Sequence, residues 1–291
     1  MNSIQFFGAL EIGLVYSFVA MGIYLSFRVL NFADLTVDGS FPLGAAVCAT
    51  LITMKVDPVC ATLAAIVAGA GAGFITAWVA TRLNVLHLLA SILTMTALYS
   101  VNLRIMGKPN VPLLGEPTLF NGILGGISPL IVLMIIAMVV LVLLYFFLKT
   151  QIGLAVRSTG SNSRMARAQG INDQHCVWLG ISISNALVAF AGALFAQLNG
   201  FADVTLGVGT IIIGLAALII GEALLPVRTV LQALIACVAG TIIYRLVITQ
   251  ALNINGFGLK ASDLNLVTAI IVTLAMALPN LKNKIIKKEQ L

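Results

Sequence analysis

Long apolar runs alternate with short polar breaks along the whole chain. Nine runs are candidate membrane segments, and they fall at about 4–27, 41–54, 58–80, 85–105, 128–148, 176–198, 208–221, 227–250 and 263–279. A helix needs about 20 residues to cross a bilayer. The runs 41–54 and 208–221 have about 14 residues each, which is too short for a full span. The pattern therefore predicts an all-α polytopic membrane protein with about nine membrane segments, two of them short or broken helices.

Each short run follows one copy of the same acidic phrase. The phrase LNFADLTVDGSF begins at Leu30, and LNGFADVTLGVG begins at Leu198. Five predicted spans separate the two copies, so the second copy has the opposite sense in the membrane. Short hydrophobic segments at matching positions of two halves are typical of broken helices around a transport path. The sequence therefore predicts an inverted-topology repeat.

The repeat and the polar stretches divide one membrane domain, residues 1–291, into parts. The first half covers about 4–148, a polar loop covers 149–175, and the second half covers about 176–279. A basic tail, 280–291, follows the last predicted span.

Composition and charge agree with a lipid environment and set the orientation. The chain is 60% hydrophobic and 9% charged, whereas soluble domains are about 25% charged. With the N-terminus outside and the C-terminus inside, eleven of the sixteen Lys and Arg residues lie on the cytoplasmic side. This bias obeys the positive-inside rule. The net charge of +6 is thus assigned to membrane topology and not to nucleic-acid binding.

Polar residues at the two phrases are candidates for broken-helix ends or for the translocation path. They are Asn31, Asp34, Asp38, Gly39, Asn199, Asp203 and Gly209. Acids at membrane depth are costly and need a partner, so they either contact the substrate or cap the helices that follow. A capping role is the simpler interpretation for Asp34 and Asp203. When the two phrases are aligned, the position of Asp38 is occupied by Val208 in the second copy. Asp38 is therefore less expected to belong to a symmetric device.

A second small-residue feature lies in the run 58–80. Gly69 and Gly73 have the GxxxG spacing that lets two helices approach closely in lipid. Packing within the chain is one interpretation, and dimerisation is the alternative.

Several catalytic patterns are absent from the sequence. It contains no GxxxxGK[ST], HExxH or GxSxG motif and no histidine–cysteine cluster. We therefore assign no catalytic residue, no metal site and no cofactor to this chain. An ion-coupled secondary transporter stays open as an alternative, since a sodium-driven carrier can use backbone carbonyls.

The loop 149–175 contains a segment with helical composition, Ser163–Gln169. Ser161 and Asn162 are candidate caps at its start, and Gly170 is a stop signal. So short a helix is marginal in water, and a groove in a partner protein would explain its order. We expect Met165 and Ala166 to face that partner. The alternative is a positive loop that only fixes topology.

This loop resembles the coupling region of ABC importer permeases of the branched-chain amino acid and ribose type. The resemblance is carried by Arg157, Gly160, Asn162, Ala166, Gly170 and Ile171, followed by Ala191-Gly192-Ala193. The runs GLAALIIGEALL, ALIACVAGTIIYRLV and SDLNLVTAIIVTLAMALP are similar to the tryptophan/tyrosine-type subgroup of that family. The resemblance covers nearly the whole chain.

The resemblance implies an importer subunit in a bacterial inner membrane that moves a small solute such as an amino acid, aromatic in this subgroup, by alternating access. Its partners would be cytoplasmic ATPase subunits that use ATP and Mg²⁺, an extracytoplasmic solute-binding protein and a second permease chain, most simply in a homodimer. Arg164 and Arg167 would contact ATPase acids. The coupling residues would be Arg157, Gly160, Ser161, Asn162, Arg164, Met165, Ala166, Arg167 and Gly170.

The orientation can be tested by cysteine labelling in a cysteine-free background. We expect Asn121→Cys to react with a membrane-impermeant maleimide in intact cells, and Asn283→Cys to react only after permeabilisation. The reason is the excess of basic residues on the side that carries Asn283. Protection of both positions, with Asn121→Cys accessible after solubilisation, would contradict the topology.

Overall fold

A computed structural model describes residues 3–123, 126–225, 227–252 and Thr273. The described part is almost entirely helical, with one two-stranded sheet. The helices are α1 Ser3–Ile23, α2 Val37–Thr53, α3 Pro58–Arg82, α4 His87–Met106, α5 Pro129–Lys149, α6 Gln151–Ser161, α7 Ser163–Ala168, α8 Asp173–Asn199, α9 Thr210–Leu224 and α10 Val230–Leu252. The strands are β1 Asn110–Pro112 and β2 Phe201–Asp203, and a further π-helical turn covers Leu119–Ile123.

The described residues form seven segments long and apolar enough to cross a membrane, plus the shorter apolar helix α2. All eight coincide with runs predicted from the sequence. The second short run forms the 15-residue helix α9, and it reaches 21 residues only when the preceding 3-10 turn Val204–Gly207 is counted. The ninth predicted span, 263–279, lies outside the described residues. The chain is thus a polytopic all-α membrane protein.

The first interruption follows α1. The helix continues as a π-helical turn, Tyr24–Val29, and the chain is non-helical over 30–36 before α2 begins at Val37. Pro42 inside α2 has no N–H to donate to the carbonyl of Asp38, which leaves that carbonyl outside the helical bonding pattern.

The second interruption follows α8. Gly200 ends α8 with a φ of +76°, a conformation that suits glycine. Strand β2 then pairs with β1 in antiparallel register, with Val111 opposite Ala202. Gly209, with a φ of +84°, leads into α9. Backbone groups in this non-helical stretch are therefore partly paired by a sheet, as a membrane protein requires.

Helix α8 is the centre of the fold. It packs along α2 and α3 and against α1, while α1 also packs against α9 and α10. Close approach of α3 and α8 depends on glycine: a Cβ on Gly69 would lie 2.6 Å from the carbonyl oxygen of Asn185, and a Cβ on Gly73 would meet the Ile181 carbonyl. In this structure the GxxxG pair of α3 packs within the chain, as the first interpretation held.

This packing can be tested with two glycines of α3. Gly69→Ala should destabilise the protein by about 1–3 kcal/mol because the methyl group overpacks the α3–α8 contact. Gly71→Ala is the matched control, since no atom lies within 4 Å of its added Cβ, and it should be neutral or stabilising. Thermal unfolding of the purified protein in detergent measures both. An equal loss for the two variants would exclude close packing as the cause.

Candidate functional site

The two acidic phrases fold into the same turn. The Asp34 carboxylate accepts a hydrogen bond from the backbone N–H of Thr36, at 2.9 Å, and the Asp203 carboxylate accepts one from the N–H of Thr205, at 2.8 Å. Each aspartate therefore satisfies an amide at a broken-helix end. Asp203 caps the 3-10 turn Val204–Gly207, but the N-cap residues of α2 and α9 are Thr36 and Gly209. The two aspartates therefore close turns ahead of the short helices and are not the N-caps that the sequence predicted.

The surroundings of the two turns differ. Asp34 is fully buried, and its second oxygen accepts a hydrogen bond from Asn185 Nδ2 of α8 at 2.6 Å. Asn185 Oδ1 in turn accepts the Ser40 hydroxyl at 2.7 Å. The hydroxyls of Thr36 and Thr76 are hydrogen-bonded at 2.9 Å. These side chains join the first break to α2, α3 and α8 and are satisfied by one another, which leaves Asp34 no open face toward a solute.

Asp203 lies at the end of β2 and is partly exposed. It accepts hydrogen bonds from the Thr205 hydroxyl at 2.6 Å and from Asn110 Nδ2 at 3.2 Å. Partial burial by itself raises the pKa of Asp203, but these bonds outweigh it and hold the pKa below its ordinary value. The carboxylate therefore stabilises the turn at neutral pH, and that stabilisation is lost only as the pH falls through the lowered pKa.

Asp38 joins the two phrases. Its Oδ1 accepts the N–H of Ile211 at 2.7 Å, and its Oδ2 accepts the N–H of Gly209 at 3.3 Å. An aspartate of the first copy thus caps the short helix of the second copy. This contact has no counterpart from the second copy among the described residues, and the partner of Asp38 is a pair of backbone amides and not an opposing side chain.

The remaining residues of this set lie at the same two breaks. Asn31 is exposed in the first break with a φ of +52°, and Gly39 lies on α2 against Leu98 of α4. Asn199 ends α8 and donates to the Phe195 carbonyl at 2.9 Å. Among the described residues, no hydrogen bond joins Asn31 or Asn199 to Asp38.

A small cavity lies where the breaks meet, between them and α4. Its volume is about 110 Å³. It is lined by Asp38, Gly39, Pro42, Met95, Tyr99, Asn102, Val204, Thr205 and Val208. We call it the Asp38 cavity.

An ion pair joins the π-helical turn before the first break to the last turn of α9. Arg28 Nε, in the π-helical turn, donates to Glu222 Oε1 at 2.8 Å, and Arg28 Nη2 contacts Glu222 Oε2. Glu222 lies in the last turn of α9. The partner of Glu222 is therefore 194 residues away in the sequence.

The predicted loop helix is present as α7. Asn162 caps it by accepting the N–H of Met165 at 3.1 Å, and Gly170, with a φ of +81°, follows it. Arg164 and Arg167 are exposed. Arg167 Nε lies 3.6 Å from Asp173 Oδ2 and forms an ion pair with it. Ser161 is the last residue of α6, an additional helix that also carries Arg157.

One prediction about α7 was wrong. Met165 is 61% exposed, but Ala166 is only 2% exposed and packs within its own chain. The two neighbours therefore point in different directions, and only Met165 is available to a partner. The error arose because the contacts of α7 with α6 and α8 cannot be inferred from its own residues.

Helix α6 lies directly on the first break. A Cβ on Gly160 would collide with the Val29 carbonyl, and it would lie 2.7 Å from Leu30 Cα. A cavity of about 470 Å³ lies between this break and the start of α7, and Asn31, Phe32, Asn162 and Arg164 are among its lining residues. The predicted coupling segment and the first break are therefore in contact.

Sequence reasoning missed two amide side chains. Asn185 and Asn102 are fully buried in α8 and α4. An amide inside a span predicted to be apolar is itself a signal, because polar groups there need a partner. Their partners could not be inferred from a sequence alone.

Comparison with known proteins identifies the family. Residues 6–278 match the model described as branched-chain amino acid transport system / permease component. The chain belongs to this permease family. The resemblance drawn from the loop and the three apolar runs is confirmed.

Two curated relatives and one solved structure extend the comparison. The tyrosine transport system permease protein of Clostridioides difficile (strain R20291) is 40% identical, over 92% of this chain and 89% of the relative. An uncharacterised protein of Rickettsia prowazekii (strain Madrid E) is 36% identical, over 92% and 95%. The structure of PsaBC from Streptococcus pneumoniae in complex with Fab has a TM-score of 0.54 at 14% identity, covering 93% and 89% of the two chains, and shares the fold.

The two matched turns should differ in their contribution to stability. Asp34→Ala should lower the unfolding free energy by about 2–3 kcal/mol because it leaves buried donors without acceptors. Asp203→Ala, the partly exposed counterpart, should cost about 1 kcal/mol. Thermal melts of both variants test this. If Asp34→Ala abolishes transport while assembly and thermal stability stay intact, a purely structural role is wrong for Asp34.

Proposed function

We propose that this chain is the membrane-spanning permease of an ATP-driven importer in a bacterial inner membrane. Its solute is an amino acid, and the relative named as a tyrosine transport permease favours an aromatic one. The observation that carries the proposal is the meeting of two interrupted segments at Asp38 in a chain of a permease family. Discontinuous helices of this kind form solute sites in transporters.

The partners follow from the family and from the exposed loop. Two copies of the chain would form the pore, an extracytoplasmic binding protein would deliver the solute, and ATPase subunits would bind and hydrolyse MgATP. Exposed Arg164, Met165 and Arg167 on α7 would contact the ATPase subunit. Arginine and methionine are common in interfaces that depend on a few central residues.

A chain of contacts supports a route from α7 to the solute site. Helix α6 adjoins α7, Gly160 of α6 lies against Val29, and the break from 30 to 36 leads to Asp38 and the start of α9. Movement of α7 with the ATPase would therefore shift both interrupted segments. The Arg28–Glu222 pair joins the residues just before the first break to the last turn of α9. This ion pair would separate when α9 moves away from the first break.

The docking role of α7 is tested with Met165. Met165→Glu should fold, since the side chain is exposed, but it should place an unpaired charge in the ATPase groove and abolish co-purification of the ATPase subunit. Met165→Leu is the matched control and should retain both assembly and ATP hydrolysis. Ala166→Glu is unsuitable, because it would disrupt the chain's own packing.

The measurements are ATPase co-purification and ATP-dependent uptake of labelled amino acid into vesicles. Wild-type assembly and hydrolysis by Met165→Glu would show that α7 is not the docking element. Uptake by wild-type protein without any ATPase subunit, driven by an ion gradient, would favour the alternative of a secondary transporter.

A further inference from the structure

Asn102, which lines the Asp38 cavity, has a buried acceptor atom without a partner. Asn102 is fully buried in α4, and its Nδ2 donates to the Gly39 carbonyl at 3.3 Å. Its Oδ1 accepts no hydrogen bond. Among the described residues, only one other buried side-chain nitrogen or oxygen atom shares this property. Buried acceptors are nearly always satisfied, so a donor absent from this chain would complete the site.

Two other side chains of the cavity, Asp38 and Thr205, are also acceptors toward a ligand, and the Tyr99 hydroxyl can both donate and accept. Each oxygen of Asp38 receives one backbone N–H from the start of α9, and a carboxylate can accept about four hydrogen bonds. The Thr205 hydroxyl donates its proton to Asp203, so its oxygen can only accept from a ligand. The cavity thus presents Asp38, Asn102 and Thr205 as acceptors, with one negative charge.

We propose that the Asp38 cavity binds the primary ammonium group of the transported amino acid. This inference rests on the proposed transport function and adds the part of the solute that is recognised. An ammonium group carries three donors and no acceptor, which complements this set of acceptors. The solute carboxylate would be repelled by Asp38 and must lie outside the cavity.

The size of the cavity agrees with a head-group site. A cavity of about 110 Å³ is smaller than the roughly 300–1,000 Å³ that encloses a whole drug-sized ligand. Tyr99 and Val208 line the same cavity and are 53% and 72% exposed. The remainder of the amino acid extends past these two side chains, which offer an aromatic and an aliphatic surface.

The first experiment needs no mutation of this chain. Thermal shifts of the purified permease–ATPase complex, without binding protein, are measured with L-tyrosine, with tyramine, which keeps the ammonium group, and with 3-(4-hydroxyphenyl)propionate, which lacks it. We expect stabilisation by both amines and none by the deaminated compound. Equal stabilisation by all three, or none by either amine, overturns the proposal. If NaCl stabilises the complex relative to choline chloride while neither amine does, the cavity is assigned to an inorganic cation and the proposal is overturned.

The second experiment identifies the acceptor. Asn102→Leu keeps the approximate size of the side chain but removes the acceptor, and it should weaken the apparent affinity for tyramine about tenfold or more. Asn102→Asp retains an acceptor and should keep tyramine binding. Unchanged binding by a folded Asn102→Leu variant contradicts the proposal, and the analogue series above decides the matter if that variant does not fold.

Failure of this inference is distinguishable from failure of the proposed function. ATP-dependent uptake of labelled tyrosine by the wild-type complex tests the function alone. If uptake is intact and the three analogues do not differ, only the ammonium site is wrong. If uptake is absent with every amino acid tried, the proposed function fails first.

Discussion

The fold depends on the hydrogen bonds between the Asp38 carboxylate and the backbone amides of Gly209 and Ile211. A helix that starts inside a membrane leaves its first amides without partners, and lipid cannot supply acceptors. Here the acceptor comes from the opposite half of the chain, 171 and 173 residues earlier. Gly207 lies against the Asp38 carbonyl that Pro42 leaves outside the helix. One residue therefore fixes the position at which two interrupted segments can meet.

The polar groups of the two breaks differ in their hydrogen-bond partners and in their burial. Asp34 is enclosed by Thr36 and by Asn185 of the central helix, so the first break is anchored in the most buried part of the protein. The turn at Asp203 is held by a two-stranded sheet and is partly exposed. The first copy of the phrase is thus buried and anchored to α8, and the second copy is more accessible. The asymmetry leaves a cavity on the side of Asp38, where α4 contributes an acceptor.

Local features of this fold could be predicted from sequence, and long-range partnerships could not. The short apolar runs, the turn at each aspartate and the cap at Asn162 depend on neighbouring residues, and all three are present in the structure. The role of Asp38, the pairing of Arg28 with Glu222 and the burial of Ala166 depend on residues distant in sequence. Asn185 and Asn102 could have been flagged as polar groups within apolar runs, but a single sequence contains no information about what they contact.

The contacts between α6 and the first break explain how a loop outside the membrane segments can affect a site inside them. Gly160 has no side chain, so the backbone of α6 rests directly on Val29 and Leu30. Direct backbone contact is stiffer than contact through rotatable side chains, because packed interiors transmit displacement instead of absorbing it. The segment after Leu30 is non-helical, and Asp34 anchors it to the central helix α8. A backbone contact followed by an anchored segment is a combination that passes a displacement on as a rigid body. In this chain that combination leads to Asp38, the residue that holds the second half in place.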